Sequence, residues 1–112
     1  MTDDRLPTET ASLGCLDGRP HAGAFGDGEP RTVRLALDAG ESVPEHRHPG
    51  RNVVIAVQSG EVTLSLDGED HGLTAGDLIR FDGRRRVSPR AETDATALVV
   101  LAPAPDREGG PG

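Results

Sequence analysis

The sequence predicts an all-β protein: one antiparallel β-barrel spanning about residues 31–102. Three observations lead there. Turn signals at Asp38-Ala39-Gly40, Pro49-Gly50, Ser59-Gly60, Asp67-Gly68, Ala75-Gly76 and Asp82-Gly83 recur every seven to ten residues, the spacing of short strands joined by tight turns. Between two of those turns, Val62, Leu64 and Leu66 alternate with Glu61, Thr63, Ser65 and Asp67, a period of two that gives one dry and one wet face. The remaining long apolar windows are β-branched runs, which favour strands over helices.

The elements follow in order. Residues 1–30 form an N-terminal arm, partly flexible, whose Gly-rich stretch leads into a strand over about 31–37. "NVVIAV", 52–57, is apolar on both faces and reads as a deeply buried strand; "ALVVLA", 97–102, reads the same way. Residues 61–67 and 69–74 should pair across Asp67-Gly68, since Asp-Gly between alternating runs favours a type I′ hairpin through the positive φ that glycine accepts. A further strand, "DLIRF", follows the Gly76-Asp77 turn. The tail, 103–112, is rich in Pro and Gly, holds no Leu, Ile, Val or Phe, and is expected to be disordered.

Composition excludes some partners. All twelve basic residues are Arg, the net charge is −7, and Tyr and Trp are absent. Nucleic-acid binding needs a basic face and usually aromatic platforms, and the one basic run, Arg84-Arg85-Arg86, reads as a solvated turn. Cys15 is the only cysteine, so no intrachain disulfide can form. No stretch of eighteen apolar residues and no apolar leader follows Met1. The expectation is a soluble, cytoplasmic protein with no membrane contact.

"EHRHPG", 45–50, carries the chemistry. On a strand, His46 and His48 point to the same side with about 6.5 to 7 Å between their Cα atoms, so both imidazoles can reach one divalent ion. Pro44 and Pro49 flank them and restrict the backbone. Glu45 has the opposite parity.

Gly40, five residues, His46, Arg47, His48, and then Gly60 after a β-run resemble the first motif of the cupin family, and "HGLTAGDLIRFDG" resembles the start of its second. The resemblance covers residues 33–101 and is to the small, single-domain, RmlC-like kind. It implies a jelly-roll or double-stranded β-helix barrel with His46 and His48 as metal ligands pointing inward, and a homodimer that covers its strand edges. Two departures bear on function. Where the family's first motif has Glu, this chain offers Asn52 or Val53, and where the second has His it offers Val87. Candidates to complete a metal shell are His21, His71, Glu45 and Asn52.

Two classes of function follow. One is a binding module with a degenerate metal site at His46 and His48, holding a small molecule or a weakly held divalent metal (Fe, Mn, Zn or Ni), with Asn52, Arg80 and Arg86 as further contacts. The other is a metal-dependent cupin enzyme of the oxygenase or isomerase type with the same two histidines as ligands. Non-haem iron oxygen chemistry wants two His and one carboxylate, and the carboxylate is missing here. A ligand-free structural role is a third reading.

Overall fold

The computed structural model describes residues 5–26 and 28–105. Residues 1–4, 27 and 106–112, and with them most of the expected tail, lie outside the described residues. Eight strands run β1 (His21–Gly23), β2 (Arg31–Leu37), β3 (Arg51–Ser59), β4 (Glu61–Leu66), β5 (Glu69–Thr74), β6 (Leu78–Asp82), β7 (Val87–Ala91) and β8 (Ala95–Pro103). The described residues contain no α-helix, only a short 3-10 turn at Leu13–Cys15.

All pairings are antiparallel. They build a five-stranded sheet in the order β1-β2-β8-β3-β6 and a three-stranded sheet in the order β5-β4-β7. The sheets face each other as a jelly-roll sandwich and are not joined by hydrogen bonds into one closed barrel. The alternation read from β4 holds: Val62, Leu64 and Leu66 are buried and the residues between them are not. The β4–β5 hairpin turns at Asp67 (φ 50°) and Gly68 (φ 85°), with Leu66 opposite Glu69, the two-residue loop and paired positive φ of a type I′ turn.

The core forms between the sheets. Val33, Leu35 and Leu37 of β2, with Val53, Ile55 and Val57 of β3, meet Val62, Leu64 and Leu66 of β4. Leu64, which has no exposed surface, sits at its centre.

Two strands lie where no local signal predicts one. β7 contains Pro89, which lacks an N–H and therefore belongs at a sheet edge. In an antiparallel ladder a residue's N and O point to the same neighbour, and the Pro89 carbonyl accepts from Val43 N at 2.9 Å. The missing donor thus falls on the side of segment 40–48 and leaves the β4 ladder intact. That segment lies along β7 as an irregular edge, touching it in isolated bridges at Ser42–Arg90 and His46–Val87.

β1 falls within the stretch read as an arm and pairs with β2, His21 opposite Leu35. Arg34 holds the chain ahead of it. Its guanidinium, on the outer face of β2 and 8% exposed, donates to the carbonyls of Leu13 (3.0 Å), Leu16 (3.1 Å) and Gly18 (2.7 Å). No carboxylate is needed there, because backbone carbonyls take the charge-assisted bonds.

Candidate functional site

Segment 43–49 turns His46 and His48 inward at one end of the sandwich. Val87 fixes its position: His46 N donates to the Val87 carbonyl at 3.0 Å, and Val87 N donates to the His46 carbonyl at 2.8 Å. A third bond, from His48 N to the Gly83 carbonyl at 2.7 Å, ties the segment to the β6–β7 turn. The histidines therefore sit on an irregular edge held by two prolines rather than on a regular strand, yet both line the same cavity.

That cavity has a volume of about 430 Å³. Its buried lining is apolar and comes from both sheets, with Val33, Leu35, Val53 and Ile55 on one side and Val87 on the other. Phe81, Val99 and Leu101 close the rest. Its exposed or half-buried lining, Pro49 apart, is polar: His21, His46 and His48 with Arg31, Arg47 and Arg51. The site is thus dry at depth and cationic where it opens.

The rings of His46 and His48 meet edge to face, centroids 4.7 Å apart at 88°. His46 Nδ1 lies 2.8 Å from the Pro44 carbonyl. A carbonyl can only accept, so Nδ1 carries a proton and Nε2 is the ring nitrogen that faces other partners. Burial lowers the pKa of His48 from its ordinary value, and the charges of His46, His21, Arg31 and Arg51 lower it further. His21 is lowered by burial and then by His46. Arg51 pairs with Glu29 through both terminal guanidinium nitrogens; Arg31 acts on Glu29 only through its field and its backbone N–H, and Arg47 has no ion-pair partner among the described residues.

A pH dependence follows. A histidine whose folded pKa is depressed binds fewer protons folded than unfolded, so its stabilisation is complete above the unfolded pKa and is lost as pH falls below it. The unfolding midpoint is expected to drop as pH is lowered from about 7 to 5. Glu29, Asp67 and Glu92, whose pKa values lie below the ordinary carboxylate range, lose their stabilising interactions only at lower pH. Replacing His21 and His48 together by Gln should flatten the upper window; a slope unchanged in that variant contradicts the assignment.

The other residues singled out from the sequence lie elsewhere. Asn52 and Arg80 line a second, open groove together with His71, Glu69 and Arg85. It is Val53, not Asn52, that faces the histidine cavity. His71 lies 3.3 Å from Glu69, and Glu45 is exposed. Arg85 and Arg86 both reach Asp67, and Arg84 reaches Asp82, so each arginine of the basic run has a local carboxylate within reach. Cys15 is exposed. No helix of the described residues is long and apolar enough to cross a membrane. Sequence reasoning did not single out Arg31, Arg51 or Phe81 for the cavity, because only long-range pairing of β2, β3, β6 and β8 gathers them.

The family model for the cupin domain matches residues 33–103. The chain belongs to the cupin family. Among solved structures it is similar to a predicted oxalate decarboxylase from Thermotoga maritima, with 25% identity over 75% of this chain and 79% of that one and a TM-score of 0.69. An RmlC-like cupin from Shewanella frigidimarina shares 20% identity over 89% and 95% of the two chains, TM-score 0.73. KdgF from a Halomonas species shares 17% over 91% and 99%, TM-score 0.74. The last two likenesses bear on the fold alone. Among curated proteins no sequence matches.

A metal is the group this family implies, and the residues present do not fit a resident ion. The two family positions that would carry the remaining ligands hold Val53 and Val87, which are 1% and 2% exposed and belong to the apolar core. Among the described residues no three His, Cys, Asp or Glu side chains come together as a group able to hold an ion. Stable sites generally take three or four protein ligands.

Proposed function

We propose that this small cupin binds a small molecule in the cavity beneath His46 and His48, without a resident metal. The observation that carries the reading is the cavity itself: about 430 Å³, within the range of small-molecule sites, apolar at depth and with a few convergent polar groups at its opening. His46 and His48 contact the head of the ligand, and the apolar wall takes its body. A divalent ion held there, whether Fe, Mn, Zn or Ni, is weak, exchangeable and completed by water.

The metal-dependent enzyme is the second reading. What favours it is that His21, His46 and His48 line one cavity, and that the similar Thermotoga protein is a predicted oxalate decarboxylase. Val53 and Val87 weigh against it. A cytoplasmic homodimer belongs to the same proposal, resting on the exposed edges of β1 and β6; molar mass by light scattering at tens of micromolar decides the dimer, and a monomer there removes it.

Two measurements test the binding reading. Untagged protein is expected to carry well under one equivalent of metal, unchanged in the His46→Ala, His48→Ala double variant. One full equivalent that the double variant loses favours the enzyme instead. Thermal unfolding against a panel of small acids and sugars is expected to give at least one hit. A ligand at a hundred times its dissociation constant adds about 2.7 kcal/mol, a rise of several degrees. No shift at millimolar ligand contradicts the proposal.

A further inference from the structure

We propose that the cavity selects a monocarboxylate with a short apolar body, its carboxylate held between Arg31 and Arg47 and its body against the valines and Phe81. This rests on the binding reading above and names the ligand class. Three features of the cavity lead to it.

The first is charge. The chain carries nineteen Asp and Glu against twelve Arg, yet among the described residues no Asp or Glu lines this cavity, while three Arg do. One of them, Arg51, is neutralised by Glu29. Arg31 lies within the field of the same Glu29 without forming an ion pair with it, Arg47 has no ion-pair partner among the described residues, and both are exposed at the opening, so one carboxylate faces three guanidinium groups. On an acidic protein, a local surplus of guanidinium charge selects an anion and disfavours an amine. A planar guanidinium fork matches a carboxylate in shape as well as sign.

The second is the depth of the site. Below the opening, the lining contains Val33, Leu35, Val53, Ile55 and Phe81, all buried and none with a side-chain hydrogen-bonding group. A sugar or a dicarboxylate pushed into that space would leave hydroxyls or a second charge unpaired, which costs more than the burial returns. An aliphatic or aromatic body leaves nothing unpaired. One charged end and one apolar end is the pattern that satisfies both regions.

The third is size. A volume of about 430 Å³ lies near the lower end for ligand sites, so the body is short and a long lipid chain does not fit inside.

Calorimetric titration of the full chain, with chelator present, tests this using butanoate, hexanoate, hexanamide and hexylamine. Hexanoate is expected to bind about tenfold more tightly than butanoate, from the two added methylenes, and at least tenfold more tightly than hexanamide, with hexylamine weakest. Arg31→Glu, a substitution at an exposed strand start, should cost hexanoate at least tenfold and leave hexanamide unchanged. Equal binding of acid and amide, or preference for the amine, overturns the ligand class while the cavity reading stands. Failure of all four compounds at millimolar concentration overturns both.

Discussion

Gly83→Ala is expected to lower stability by about 3 kcal/mol or more and to displace His48. A Cβ at Gly83 would fall on the His48 carbonyl oxygen, 2.7 Å from the Arg51 carbonyl oxygen and 3.0 Å from the His48 carbonyl carbon. Those are backbone atoms, so no side chain can swing away to make room. The same residues are joined by hydrogen bonds, Gly83 N to the Arg51 carbonyl at 2.8 Å and His48 N to the Gly83 carbonyl at 2.7 Å. Relieving the clash means breaking at least one of them and shifting the segment that carries the histidines, one of the few mechanisms by which one methyl group costs this much. Gly72→Ala is the control: nothing lies within 4 Å of a Cβ there, and a strand glycine replaced by alanine should be neutral or slightly stabilising. Urea unfolding of the two variants, with the ring-proton signal of His48 as local probe, checks the difference. Equal midpoints would contradict the close approach.

Val53→Glu with Val87→His is expected to turn a chain with little metal into one that holds about one equivalent. Both positions line the same cavity as His46 and His48, and Val87 exchanges two backbone hydrogen bonds with His46, so an imidazole introduced at that position would start beside the existing pair. Outer-shell partners alone are worth about ten- to hundredfold in metal affinity, and two added direct ligands should give at least about a hundredfold. Without metal the double variant should be less stable than the parent by several kcal/mol, since it buries a carboxyl and an imidazole where the core had two valines. Added zinc or manganese should recover that loss, because binding to the folded state alone stabilises it. Metal content and unfolding midpoint with and without the ion check this; a folded double variant that gains no metal contradicts the reason offered for the parent's poor fit.

Much of the fold was legible because its central strands carry their own signal. β3, β4 and β8 are β-branched and alternate or run apolar on both faces, and the Asp67-Gly68 turn needs only two residues to specify it. β7 was not legible, since Pro89 and the preceding arginines argue locally against a strand, and only β4 on one side and segment 40–48 on the other make it one. β1 is three residues long in a Gly-rich stretch, and its pairing with β2 leaves no local trace. Arg34 shows the same limit. Nothing in its strand says that the segment 13–18 covers its guanidinium, which is a long-range fact.

For the site, spacing brought His46 and His48 together and named Val87 in one missing ligand position, but left Asn52 and Val53 as alternatives in the other; the strand's facing decides for Val53. Local parity also sends Arg80 away from Ile79 and Phe81, yet the second groove that Arg80 lines with Asn52 and His71 takes in Ile79 and Phe81 as well, and Arg80 is not part of the histidine cavity. Arg31 and Arg51 carried no signal, because each is simply the first residue of its strand until β8, pairing with both strands, brings them to the same end of the sheet.

The four histidines allow the most direct test, since three line the cavity and His71 lies in the other groove. Ring-proton signals of all four, followed while chelated protein is titrated with hexanoate or hexanamide, report where a small molecule sits. His21, His46 and His48 are expected to move together along one binding curve while His71 stays in place. If none of the three moves at millimolar ligand, or if His71 moves alone, the cavity is not the binding site.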